Sequence, residues 1–296
     1  MITTPFLRAQ DDMQTLIEAL LRDSSNERWT ALEVYQAINR ALLSWWDRVK
    51  IPHMYSMPDG WDSQTYEYTL PSYIRPPLQP QLQRTMPVHY PTIVDSTTTS
   101  TWVDINAYEV HPATDGTLEL QLEQLPYNEP GRIIWWGRQG PVPAISTLPA
   151  LNANIDADDT SLVLDTAALE VEDAGYVKID EEWIAYAGLT RGATTTTLSN
   201  LLRGMYDTTA TSHTSSTTVY WGIAADSVGL FGQLQDQTMF HLHELFMTDA
   251  SARERSHHGV MMKLYMDKAD NFWKTYAGNV DRSPRLILQR TRMPGY

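Results

Sequence analysis

Three stretches of this chain hold residue types that could do chemistry. Asp180-Glu181-Glu182 offers consecutive carboxylates, the groups that serve as acid and base in glycoside hydrolysis, and ten tryptophans could supply platforms for sugar rings. A strand sends successive side chains to opposite faces, so this run cannot by itself set two carboxylates across one sugar; a charged hairpin turn is the plainer reading. His241-Leu242-His243-Glu244 suggests a metal, but residues two apart on a helix diverge, and Met247 stands where the zinc-peptidase spacing needs its second histidine. His257-His258, with Arg253 and Arg255 nearby, suits a solvated or interface face and presents no converging ligand set.

Trp45-Trp46 and Trp135-Trp136 lie within helical and strand stripes, which favours core or subunit contacts over ligand platforms. The chain has no cysteine, so disulfides, thiolate metal sites and a cysteine nucleophile are excluded. It has neither a glycine-rich phosphate loop nor a serine nucleophile elbow, and Arg203-Gly204-Met205 is not an integrin-type tripeptide. The expectation is a protein that is not an enzyme and has no catalytic, cofactor or metal site.

Apolar residues make up 42% of the 296 and charged residues 20%, a balance that favours a folded chain over a disordered tail. The net charge of −14 is uneven: residues 1–50 contribute −1, residues 51–235 contribute −15 and residues 236–296 contribute +2. An acidic middle repels phosphate and argues against a broad grip on nucleic acid. No basic-then-apolar leader opens the sequence, and no apolar run approaches the ~18 residues that span a bilayer. The expectation is a product made and kept in a cytoplasm, away from membranes.

The elements follow from periodicity. In residues 1–50, Met13, Leu16, Ile17, Leu20 and Leu21 recur at three and four, with Asp11 placed to cap that helix. Thr30-Ala31-Leu32-Glu33 reads as a capping box for a second helix, whose stripe of Leu32, Tyr35, Ile38, Leu42, Trp45 and Val49 continues until Pro52 stops it. Residues 51–150 are proline-punctuated and predicted β-rich; Thr117–Leu122 alternates as a strand, Gly131–Gly137 reads as a buried one, and the two are expected to pair. Residues 151–222 form a small β module in which Tyr176–Ile179 and Trp183–Tyr186 flank Asp180-Glu181-Glu182 as a hairpin. Helices return in residues 223–278, where Met261, Met262, Tyr265, Ala269, Phe272, Trp273 and Tyr276 share a stripe that Gly278 should end. Residues 279–296 are a basic tail. The fold class expected is α+β: a helical bundle formed by the N- and C-terminal helices, with a large antiparallel β-rich insertion between them.

Leu16-Ile17, Leu20-Leu21-Arg22-Asp23, Trp29-Thr30, Glu33-Val34 and Ile38-Asn39-Arg40-Ala41-Leu42 resemble the opening helices of head-to-tail adaptor (connector) proteins of tailed bacteriophages. In that family a Trp-Ser/Thr dipeptide starts the second helix and an Asn-x-Ala-Leu step lies on it. The Met262–Tyr276 stretch resembles the family's closing helix. Independently, Gly175 to Tyr186, Leu201-Leu202-Arg203-Gly204 and Thr208-Thr209-Ala210-Thr211-Ser212-His213 resemble a small β module that recurs in phage virion proteins. Its pattern is Gly-x-Ile-x-Ile-Asp-x-Glu-Trp-Ile-x-Tyr, Leu-x-Arg-Gly and Thr-x-x-x-His.

The resemblance implies a structural virion protein of the neck, assembled in the host cytoplasm: a homo-oligomeric ring, usually of twelve copies, docked below the portal and holding tail or nozzle proteins. DNA would pass through it without sequence-specific binding. The basic tail, with Arg282, Arg285, Arg290, Arg292 and the terminal Tyr296, would then reach onto the portal. Twelve copies would carry on the order of 180 excess negative charges in their middle segments, which would repel DNA if they lined the lumen and aid solubility if they faced outward. The competing reading is a tail-associated carbohydrate- or receptor-binding virion protein, motivated by the Trp- and Thr-rich β module. A cell-wall hydrolase working through Glu181 or Glu182 is the third.

Overall fold

The computed structural model describes residues 6–22, 29–87, 98–123, 128–167, 169–226, 228–249 and 252–280. The chain opens with β1 (Phe6–Ala9), α1 (Gln10–Leu21) and α2 (Ala31–Leu43). Seven strands follow: β2 (Ile51–Ser56), β3 (Glu67–Leu70), β4 (Leu78–Pro87), β5 (Thr98–Asp104), β6 (Tyr108–Pro112), β7 (Leu118–Leu122) and β8 (Gly131–Gly137). A second group comprises β9 (Ser161–Leu164), β10 (Gly175–Ile179), β11 (Glu182–Tyr186), β12 (Leu189–Arg191), β13 (Thr196–Ser199), β14 (Leu202–Met205) and β15 (Val219–Ala225). Two long helices, α3 (Val228–Asp249) and α4 (Ala252–Val280), come last.

The strands form four antiparallel sheets, ordered β1-β15-β10-β11-β14, β12-β13-β9, β2-β8-β4-β5 and β3-β7-β6. This overturns the expected architecture of a terminal helical bundle around an insertion. β1 pairs with β15 from Phe6↔Ala225 to Ala9↔Gly222, so the strand that precedes α1 belongs to a sheet. The buried stripes of the helices share one continuous core with that sheet: Met13, Ile38 and Leu234 sit in the same cluster as Tyr176, Val177, Trp221 and Ile223. A periodic stripe specifies that a helix face is buried, not what buries it, and here the core it enters also holds strand residues. A second core, under β3, β4, β7 and β8, is built on Trp61, Leu70, Ile74, Leu120 and Ile133.

Local chemistry explains several boundaries. The capping box forms: Thr30 N donates to Glu33 Oε2 at 2.8 Å and Glu33 N to Thr30 Oγ1 at 3.3 Å. Asp11 does not cap α1; β1 runs straight into the helix through Ala9, leaving Asp11 and Asp12 in the first turn, where negative charge complements the helix dipole. α2 stops at Leu43, short of Pro52, and a turn carries Trp45 into the core, where its Nε1 donates to Gln233 Oε1 at 2.6 Å. Pro52 lies within β2, an edge strand where a missing N–H is tolerated. β7 pairs with β3 and β6, and β8 with β2 and β4, so the expected β7–β8 pairing is replaced by partners from farther along the chain. α4 continues through Gly278 to Val280.

Two side chains bind segments far apart in sequence. Asn39 on α2 clasps the backbone of Val142, donating to its carbonyl at 2.8 Å and accepting from its N–H at 2.9 Å. Asn200 does the same to Ser56, at 2.7 and 2.8 Å.

Candidate functional site

The residues that carry the β-module pattern converge on one point. β10 and β11 pair with Ile179 opposite Glu182, which leaves a two-residue turn of Asp180 and Glu181 with Asp180 in the left-handed region at φ 51°. The turn separates the three consecutive carboxylates. Glu181 is 97% exposed and only brushes Lys178 at 3.6 Å, whereas the Glu182 side chain, first on β11, is 1% exposed.

Glu182 accepts five hydrogen bonds. Oε1 takes Arg203 Nε at 2.8 Å and Gly204 N at 2.9 Å; Oε2 takes Arg203 Nη2 at 2.8 Å, His213 Nε2 at 2.8 Å and Thr211 N at 3.1 Å. Arg203 uses its remaining donor capacity on the carbonyls of Asp156, at 2.6 Å, and Thr211, at 2.7 Å. The His213 ring, buried, lies between two carboxylates, with Nδ1 2.8 Å from Asp180 Oδ2. Carboxylate oxygens only accept, so this geometry asks both ring nitrogens to donate. Gly204 turns the chain at φ +62°, where a Cβ would meet Ala210 N and Thr208 O at 3.0 Å. The glycine of the Leu-x-Arg-Gly step is thus required by the tight return of the loop that brings Thr211 and His213 back to Glu182.

The electrostatics follow. Burial works to raise the Glu182 carboxyl, but the bonds from Arg203, His213, Gly204 and Thr211 outweigh it and bring the pKa down to about 2. A carboxylate held so firmly in its charged form is unsuited to general-acid work at neutral pH, which needs a raised pKa and a free oxygen. The three adjacent carboxylates thus have separate surroundings: Glu182 is a buried ion partner, Glu181 is solvated and Asp180 faces His213.

The other residues considered from sequence separate likewise. His241 turns to Glu244 at 3.3 Å, while His243 turns across to α4, its Nδ1 2.7 Å from His258 Nδ1. Among the described residues no group of three or more potential ligands could hold a metal ion. Trp45 and Trp135 are buried; Trp46 carries Arg138 over its ring at 4.3 Å. Arg282, Arg285, Arg290, Arg292 and Tyr296 lie outside the described residues. Sequence reasoning missed two partnerships, His213 with Glu182 and His243 with His258. The first was signalled by the histidine's place in the module pattern; the second, spanning two helices, had no local signal.

Comparison with protein-family models, curated proteins and solved structures returned no match. Among the described residues no helix is long and apolar enough to cross a membrane.

Proposed function

We propose that this chain is a structural subunit of a phage virion, a head-to-tail adaptor that forms a ring below the portal, links capsid to tail and surrounds the passing DNA. The observation that carries the reading is the use to which the β-module pattern is put. Its charged residues, Glu182, Arg203 and His213, spend their hydrogen bonds on one another and on the backbone of the same subunit. That is the economy of a part that keeps its shape under load. Three residues of the adaptor-like stretch, Trp29, Thr30 and Asn39, hold structural positions in this subunit. Trp29 packs on Phe246 at 5.1 Å, Thr30 caps α2, and Asn39 binds the backbone of Val142.

Electron microscopy of the purified chain mixed with portal tests this. The expected image is a ring added to one end of the portal; a monomer that persists and ignores portal would refute the reading. Deleting residues 281–296 should abolish docking while leaving the fold intact, and unchanged docking would clear that tail of the role.

One observation favours the carbohydrate-binding reading: Trp102, 36% exposed on β5, lies under the Arg132 guanidinium at 4.0 Å. An aromatic face and a planar donor together suit a sugar. Specific glycan binding on an array, lost in Trp102→Ala, would move the assignment there.

A further inference from the structure

The second concentration of titratable groups lies between α3 and α4, in a groove of about 750 Å³ that Leu20 and Leu21 of α1 and Trp29 also line. At its centre His243 of α3 and His258 of α4 face each other, Nδ1 to Nδ1, at 2.7 Å. They are 7% and 6% exposed. Phe246 covers His258 at a ring distance of 4.6 Å, and Tyr265 stacks on His243 at 5.8 Å.

Such a contact holds only while one of the two Nδ1 atoms carries a hydrogen and the other offers a lone pair. Once both rings are protonated, two N–H groups and two positive charges point at each other, and the rings must part. His243 has no alternative outlet, since its Nε2 is buried without a hydrogen-bond partner. Among the described residues, the other titratable or charged groups lining the groove are Glu254, His257 and Tyr265, all on α4, while Leu20, Leu21 and Trp29 are uncharged. From α2, Arg40 reaches Glu244 at 4.0 Å on the face where His241 binds the same carboxylate; near β15, Asp226 accepts from Tyr276 toward the other end of α4.

We propose that the His243–His258 contact is an acid-operated latch: it holds α3 against α4 near neutrality and releases this end of the helix pair when the second imidazole takes a proton. Release would widen the groove at Met239, Phe246 and Met261, next to Val260 and Leu264, which are already 67% and 45% exposed, and so enlarge an apolar surface. The sign is fixed by the closed state. Burial and the neighbouring His258 and His257 lower the His243 pKa to about 4 from the ordinary 6.5, so the closed form binds this proton less well than the open one. Closure is favoured above about pH 6.5 and weakens progressively as pH falls toward 4.

Hydrogen exchange of the full-length chain, corrected for the pH dependence of intrinsic rates, tests the latch. Between pH 7 and pH 5 the protection of amides flanking His243 and His258 should fall on the order of tenfold or more, with β10, β11 and β15 unchanged. His243→Gln, which retains hydrogen bonding without titrating, should remove most of that fall; His241→Gln should leave it in place. Should His243→Gln fail to fold, ¹⁵N-histidine resonances of the wild type decide instead, since the latch requires His243 to stay neutral at pH 5.5. Uniform loss of protection, an acid response that survives His243→Gln, or a His243 ring already charged at pH 5.5 would each overturn it.

Discussion

The module network and the helix-pair groove both place histidines in the interior, yet they treat the imidazole in opposite ways. His213 has a carboxylate at each ring nitrogen, with Arg203 completing the balance around Glu182. His243 has another histidine at one nitrogen and nothing at the other. A buried charge is tolerable where partners surround it and costly where they do not, and burial beside His258 and His257 lowers the His243 pKa, whereas the partners around Glu182 hold that carboxylate in its charged form. The difference separates a part that must keep its shape from a part that can change it.

Removing the centre of the first arrangement should have the largest effect. Glu182→Gln leaves Arg203 and His213 buried beside a neutral amide and should cost roughly 3–5 kcal/mol in chemical denaturation, as breaking a buried ion pair does. Acid should act on the same group: with a folded pKa of about 2 against an ordinary value near 4.5, Glu182 contributes stability that is complete above pH 4.5 and fades as pH falls toward 2. Roughly 2–3 kcal/mol should disappear across that window in a pH series of denaturant melts. The module should thus be the last part to yield to acid and the α3–α4 contact the first; the reverse order in pH-dependent hydrogen exchange would break the comparison.

Smaller effects sharpen it. Thr30→Ala removes one half of a capping box and should cost about 1 kcal/mol, measurable as a shift in denaturation midpoint. Glu181→Gln, one residue from Glu182, should change stability by no more than about 0.5 kcal/mol, because its side chain is almost wholly solvated. A large loss from Glu181→Gln would show that the turn, and not the buried ion network, holds the module.

Local features of this fold were legible in the sequence to the extent that their causes are local. The Thr30–Glu33 box and the β10–β11 hairpin rest on residues within a few positions of each other. The architecture depends on contacts that periodicity does not encode. Nothing in Phe6 to Ala9 announces a partner more than two hundred residues away, and without β1–β15 pairing the terminal helices read as a bundle of their own. Pro52 reads as a stop because the edge position that accommodates it is a property of the finished sheet. At the site, the residues of the network were visible as a pattern, but the pattern did not state that Glu182, alone of three adjacent carboxylates, goes inside. Alternation placed it opposite Glu181 in facing; only the return of Arg203 and His213 made burial tolerable.

Whether the charges of the β module serve shape or chemistry turns on the ionisation of one carboxyl. Following the Glu182 side-chain carboxyl of the wild-type chain by ¹³C resonance as pH is lowered would read it directly. A structural keystone predicts that Glu182 stays ionised through the ordinary carboxylate range and titrates only near about 2. Titration at or above the ordinary value would contradict it, and a value near neutrality would mark Glu182 as an acid available for catalysis.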